Sequence, residues 1–186
     1  MEMVTQLDLQ VLLWIQNHLR AESWNGFWRG ITMLGNAGWF WILFTLVLIL
    51  NKRTRMVGIA SALSLLFGFL VTNLALKNLV ARVRPYDFSN QILPLIARPR
   101  DYSFPSGHTC AAFACALICV HLLPKKAGIP VLILAVLVAF SRLYLGVHYP
   151  TDVLGGFLVA LVGSSLVLKT RPKWEMRFAG NEVCRK

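Results

Sequence analysis

The sequence predicts an all-α fold: a polytopic membrane helical bundle of about five to six helices with an N-terminal amphipathic interfacial helix. Three observations carry that prediction. Hydrophobic residues make up 56% of the 186 positions and charged residues only 15%, with a mean hydropathy of +0.60, whereas a soluble domain carries about 25% charged residues. Apolar runs near spanning length recur along the chain. The cations fall in short clusters between those runs. The net charge of +11 therefore forms no basic face or stripe, and nucleic acid is excluded as a partner. The length fits a single domain over 1–186, divided into an amphipathic region 1–34, a transmembrane core 35–168 and a basic tail 169–186.

In region 1–34, Leu7, Leu9, Val11, Leu12, Trp14 and Ile15 share a run with Asp8, Gln10, Gln16, Asn17 and His18. That mixture reads as a helix lying on the outer surface, continued by Trp24, Phe27, Trp28 and Ile31, with a short first spanning helix as the alternative. No basic, apolar and small-residue succession marks a removable signal peptide. Five apolar segments follow: about Gly35 to Leu50, Met56 to Leu79, Ser106 to Leu123, Gly128 to Leu145 and Pro150 to Leu168. The first and third are short of the roughly 20 residues a spanning helix needs and borrow from their flanks. Lys52, Arg53 and Arg55, then Lys125 and Lys126, then Lys169, Arg171, Lys173, Arg177, Arg185 and Lys186 mark the cytoplasmic side by the positive-inside rule. The C-terminus is then cytoplasmic, and 82–106 and 146–150 emerge outside. Cys110, Cys115 and Cys119 lie in one apolar run and Cys184 in the tail, without zinc spacing, and read as lipid-facing or packing residues.

Ionisable groups near a membrane interior are costly, about 2.5 to 3.5 kcal/mol at a helix centre, so those at the outer helix ends need a reason. Lys77 lies near the end of the second segment, and Arg84 follows two turns later, on the same face if the helix persists as far as Pro85. Singly, each is an interfacial cation. Ser106 is a good N-cap for the third segment, and Gly107 lets the backbone approach a ligand, so that helix end is suited to an anion. His108, in the same turn, is placed for proton transfer. Arg142 and His148 close the fourth segment. Pro150 suits the first position of the next helix, and Asp152, four residues after His148, can hold the proton of one imidazole nitrogen and leave the other facing a substrate.

Together these residues fit phosphoryl transfer: cations neutralise phosphate oxygens, one histidine attacks phosphorus and the other protonates the leaving oxygen. A metal held by His108, His148 and Asp152 is the rival, opposed by three cations that would repel a divalent ion and attract phosphate. The two histidines must start in different states, one neutral and the other protonated.

Lys77 with Arg84-Pro85, Pro105-Ser106-Gly107-His108, and Ser141-Arg142 with His148 and Asp152 resemble, in order and spacing, the three signatures of the type 2 phosphatidic acid phosphatase superfamily of integral membrane lipid phosphatases. The resemblance implies a phosphohistidine on His148, an orienting role for Asp152, and His108 as acid and then base. It also implies that Lys77, Arg84, Ser106, Gly107 and Arg142 hold the phosphate, and that no metal or cofactor takes part. It settles which histidine attacks, a point that spacing leaves open.

The implied setting is the plasma membrane, multi-pass, with the site on the outer face, a phosphorylated lipid as substrate among membrane lipids, and no obligate protein partner. Small size and the absence of long tails are similar to the bacterial branch, where undecaprenyl pyrophosphate is the first expectation. Phosphatidylglycerophosphate, phosphatidic acid and lipid A phosphates stay open, as does the different class of a lipid-phosphate binding or transport protein. Arg82, Arg98 and Arg100 are candidates for contacting a second phosphate, with contact to the lipid headgroups as the alternative.

Overall fold

The computed structural model describes residues 2–183, with side chains for 3–170; Cys184 and the tail cations Arg171, Lys173, Arg177, Arg185 and Lys186 lie outside the described side chains. Within that range the chain is all-helical: α1 (Glu2–His18), α2 (Glu22–Met33), a 3-10 turn (Asn36–Gly38), α3 (Trp39–Leu50), α4 (Arg55–Phe69), a π-helical stretch (Leu70–Leu76), α5 (Lys77–Val80), α6 (Pro85–Phe88), α7 (Gly107–Leu122), α8 (Lys125–Tyr144) and α9 (Pro150–Val183). Among the described residues three helices are long and apolar enough to cross a membrane, and four if α2 and the stretch through α3, bent by 44°, count as one span. The first segment therefore borrows from α2. The third, α7, is apolar but has only 16 residues.

α7 sits at the centre and packs against α4, α8 and α9. Its inward face is built from small residues: Ala112, Cys115 and Ala116 are fully buried, clustered with Trp41 of α3, Ala135 and Val138 of α8 and Ala160 of α9, and Cys119 is fully buried with Val57 and Ala60 of α4 and Val167 of α9. Without a hydrophobic driving force between helices in lipid, close approach of small side chains supplies the contact. The three described cysteines are thus packing residues. Gly156 of α9 shows how close the approach is, since a Cβ there would stand 2.5 Å from the carbonyl oxygen of Ser106. Outward, Leu43, Val47, Leu66, Leu70, Ile133, Val136, Leu158 and Val162 are exposed, the apolar surface that a bilayer covers.

α1 is not free of the bundle. It packs on α8 and α9, and its Asp8, which by sequence belongs to the polar side of an amphipathic helix, is 4% exposed.

Candidate active site

The predicted site residues converge at one end of the bundle, but not by the route that spacing implies. The helix carrying Lys77 does not persist to Arg84: it stops at Val80, and Ala81 takes a left-handed conformation (φ 47°). Arg84 then sits in extended backbone ahead of Pro85. Lys77 and Arg84 meet by a chain reversal, joined through Asp101: Lys77 Nζ bonds one carboxylate oxygen, and Arg84 Nη2 donates to the other at 2.6 Å. Sequence reasoning missed Asp101, whose only signal is an acid placed among Arg98, Arg100 and the run leading to Ser106. Burial would raise its pKa, but the hydrogen bond and charge of Lys77, then those of Arg84, hold it down at about 2.

Arg84 also fixes His148. Its Nη1 donates to the Val147 carbonyl at 2.6 Å and lies 3.3 Å from His148 Nε2. A guanidinium can only donate, so Nε2 is the acceptor and the ring proton is on Nδ1. Nδ1 in turn faces Asp152 Oδ2 at 3.3 Å. The same oxygen accepts from Tyr149 N at 2.9 Å and Ser103 Oγ at 2.5 Å, and Asp152 is fully buried. Burial pushes the His148 pKa down to about 4, against the raising effect of the Asp152 hydrogen bond. His148 is therefore a neutral imidazole with a lone pair on Nε2.

On the opposite wall, Ser106 caps α7 by accepting from Thr109 N at 3.4 Å and is fully buried. Gly107 opens that helix beside Asn73, whose Oδ1 lies 3.3 Å from where a Cβ would be. His108 Nε2 is 3.0 Å from Asn36 Oδ1, and the ring is seated on Gly35, where a Cβ would come within 2.3 Å of it. Arg142 is 2% exposed; Nη1 donates to Thr32 Oγ1 at 2.5 Å, while its Nε is buried with no partner among the described residues. A buried donor of that kind costs about 1–3 kcal/mol until an acceptor arrives. Thr32, Asn36, Asn73 and Ser103 carry no spacing signal; each is an ordinary polar residue made relevant by packing alone.

Lys77, Arg84, Asp101, Gly107, His108, Arg142 and His148 line one end of a cavity of about 770 Å³. Its other end is apolar, between Ile42, Leu46 and Ile49 of α3 and Leu65, Leu66 and Phe69 of α4. Ser106 and Asp152 stand behind its wall. Arg82 is placed differently from the sequence expectation: its guanidinium is committed to Asp152, Thr151 and Asp8, which leaves no free donor pair for a second phosphate. Arg98 lies over Tyr86 in a second hollow, shared with Arg100. Among the described residues no three His, Cys, Asp or Glu side chains converge in the manner of metal ligands.

Cations and two histidines gathered at one end of a cavity whose other end is an apolar trench, inside a membrane bundle, fit a membrane-embedded hydrolase of phosphorylated lipids. The chain belongs to the PAP2 superfamily, whose family model matches residues 57–176. An undecaprenyl-diphosphatase of Sulfolobus acidocaldarius is 35% identical over 143 residues, 77% of this chain and 68% of that protein. A lipid A 4'-phosphatase of Bacteroides thetaiotaomicron is 29% identical over 176 residues, 89% of this chain and 77% of that one. Among solved structures, a transmembrane PAP2-type phosphatidylglycerolphosphate phosphatase from Bacillus subtilis is similar with a TM-score of 0.75 and 32% identity, over 93% of this chain and 88% of that one. The three relatives are named for three different lipids.

Proposed function

We propose that the protein removes the terminal phosphate of a lipid phosphate at the outer face of the plasma membrane through a phosphohistidine on His148, with undecaprenyl pyrophosphate as the preferred substrate. The observation that carries this reading is a cavity that joins His148 to an apolar trench between α3 and α4. The trench takes the lipid chain, and Lys77, Arg84, Arg142 and the Gly107 amide hold the phosphate oxygens.

His148 Nε2 attacks phosphorus, the bond to the lipid oxygen breaks, and His108 gives that oxygen a proton. The leaving group is a lipid phosphate if the substrate is a diphosphate. His108 then takes a proton from water, which attacks the phosphohistidine and releases inorganic phosphate. Asp152 holds the Nδ1 proton and offsets the positive charge that forms on His148. No step calls for a metal.

The outer placement rests on charge. Lys52, Arg53 and Arg55 between α3 and α4, and Lys125 and Lys126 at the start of α8, lie at the opposite ends of their helices from Lys77 and Arg142, and cytoplasmic clusters are basic. The test is phosphate release in EDTA by detergent-purified protein from undecaprenyl pyrophosphate, phosphatidylglycerophosphate and phosphatidic acid, with His148→Ala as control. Preference for the diphosphate is expected. Preference for a glycerophospholipid overturns the substrate assignment, and a requirement for metal or retained activity in His148→Ala overturns the mechanism.

A further inference from the structure

We propose that Arg82, anchored by Asp8 of α1, is a positioning residue for the Asp152–His148 pair; this rests on the reading that Asp152 orients His148. Arg82 Nη1 donates to Asp152 Oδ1 at 2.8 Å and to Thr151 Oγ1 at 2.7 Å, while Nη2 donates to Asp8 Oδ2 at 2.7 Å. Asp8 also accepts from Thr151 N at 3.1 Å and from the Thr151 hydroxyl. The guanidinium lies 3.8 Å from the centre of the Tyr149 ring. Arg82 thus occupies Oδ1 of Asp152, while Oδ2 takes His148 together with Tyr149 N and Ser103 Oγ, and one face of the guanidinium rests on the Tyr149 ring.

The geometry separates this role from substrate binding. Arg82 borders the outer hollow and not the cavity that His148 faces. Burying Asp8, Arg82 and Asp152 together is costly unless each charge is paired and bonded, and here each is. Asp8 lies outside the residues 57–176 that the family model matches, so α1 contributes the outermost member of the chain of charges that ends at the reacting imidazole.

Losing a partner that orients a working histidine costs about 10- to 100-fold in rate in metal sites, and a similar loss is expected here. Arg82→Gln should lower kcat by that amount with KM for undecaprenyl pyrophosphate changed less than about twofold. The pH profile should move as well. His148 faces Arg84, Arg142 and His108 besides Asp152, and none of these changes in the variant. Removing the Arg82 charge leaves Asp152 less compensated, so protonated His148 is favoured and the acid limb of kcat/KM rises by about half to one pH unit. Asp8→Asn, which keeps the shape, should shift both quantities in the same direction by less, and adding it to Arg82→Gln should have little further effect.

The experiment measures kcat, KM and the acid limb for wild type, Asp8→Asn, Arg82→Gln, Arg82→Lys, the double variant and His148→Ala, with thermal unfolding in detergent as the check of folding. If Arg82→Gln does not fold, Asp8→Asn and Arg82→Lys decide. A folded variant with unchanged kcat and acid limb, or with only KM raised, overturns the positioning role while inactive His148→Ala leaves the mechanism standing. Activity retained in His148→Ala overturns the mechanism itself.

Discussion

The Asp101 carboxylate sits on Arg84, 2.6 Å from Nη2, in the place where a phosphate oxygen would find its donor. The same carboxylate takes Lys77, so one internal anion engages both cations, and a phosphate that uses the same donors has to compete with it. A half-exposed ion pair of this type contributes up to about 1 kcal/mol, which corresponds to roughly fivefold in affinity. Asp101→Asn is expected to strengthen competitive inhibition by inorganic phosphate by about three- to fivefold, and inhibition kinetics at constant ionic strength check it. Unchanged inhibition would mean that phosphate and Asp101 use different donors.

The pH dependence follows from His148. Its pKa is depressed from 6.5 to about 4 by burial, and the proposed attack on phosphorus uses the neutral form. The acid limb of kcat/KM, which reports the free enzyme, is therefore expected below pH 6.5 and toward 4, with activity lost as pH falls through it. A limb at or above 6.5 in a stable protein would contradict that environment.

His108 depends on Gly35. An added methyl group there would meet the imidazole Cδ2 at 2.3 Å, so Gly35→Ala must turn the ring away from its contact with Asn36. The expected result is a fall in kcat of about 10²-fold, the lower range for lost acid-base catalysis, with stability nearly unchanged. Stopped assays and thermal unfolding separate the two.

Gly156 tests the packing that holds Asp152 against the start of α7. Ser106 N donates to the Asp152 carbonyl at 3.0 Å, and a Cβ at Gly156 would press on the Ser106 carbonyl, which is backbone and cannot turn aside. Gly156→Ala should destabilise by about 1–3 kcal/mol, the usual cost of overpacking, and lower kcat as well, read by thermal unfolding and phosphate release.

The apolar trench predicts a split between substrates. Leu46→Trp, on the α3 side of the cavity, should raise KM for a long-chain lipid several-fold while leaving a short-chain phosphate ester within about twofold, because only the former extends past the polar end.

How much of this was legible beforehand differs from residue to residue. The bundle could be read because lipid imposes a hydropathy pattern, and Ser106, Gly107, Arg142, His148 and Asp152 could be read because helix ends and a four-residue corner fix their neighbours locally. The meeting of Lys77 and Arg84 was expected for the wrong local reason: a left-handed Ala81 and a reversal replaced a continuing helix, and no residue-type signal marks Ala81 for that conformation. Asp101, Asp8 and Arg82 depend on contacts up to 143 residues apart, where pairing is decided by how helices dock. A buried acid on α1 looks, in sequence, the same as a solvated one.

The central claim is that His148 carries the phosphate. Rapid quenching of enzyme mixed with undecaprenyl pyrophosphate labelled in its terminal phosphate, followed by peptide mapping, tests it most directly. An acid-labile, alkali-stable label on the peptide containing His148, formed within one turnover and missing in His148→Ala, is the expected result. Full turnover with no labelled protein, or a label on another residue, would contradict it.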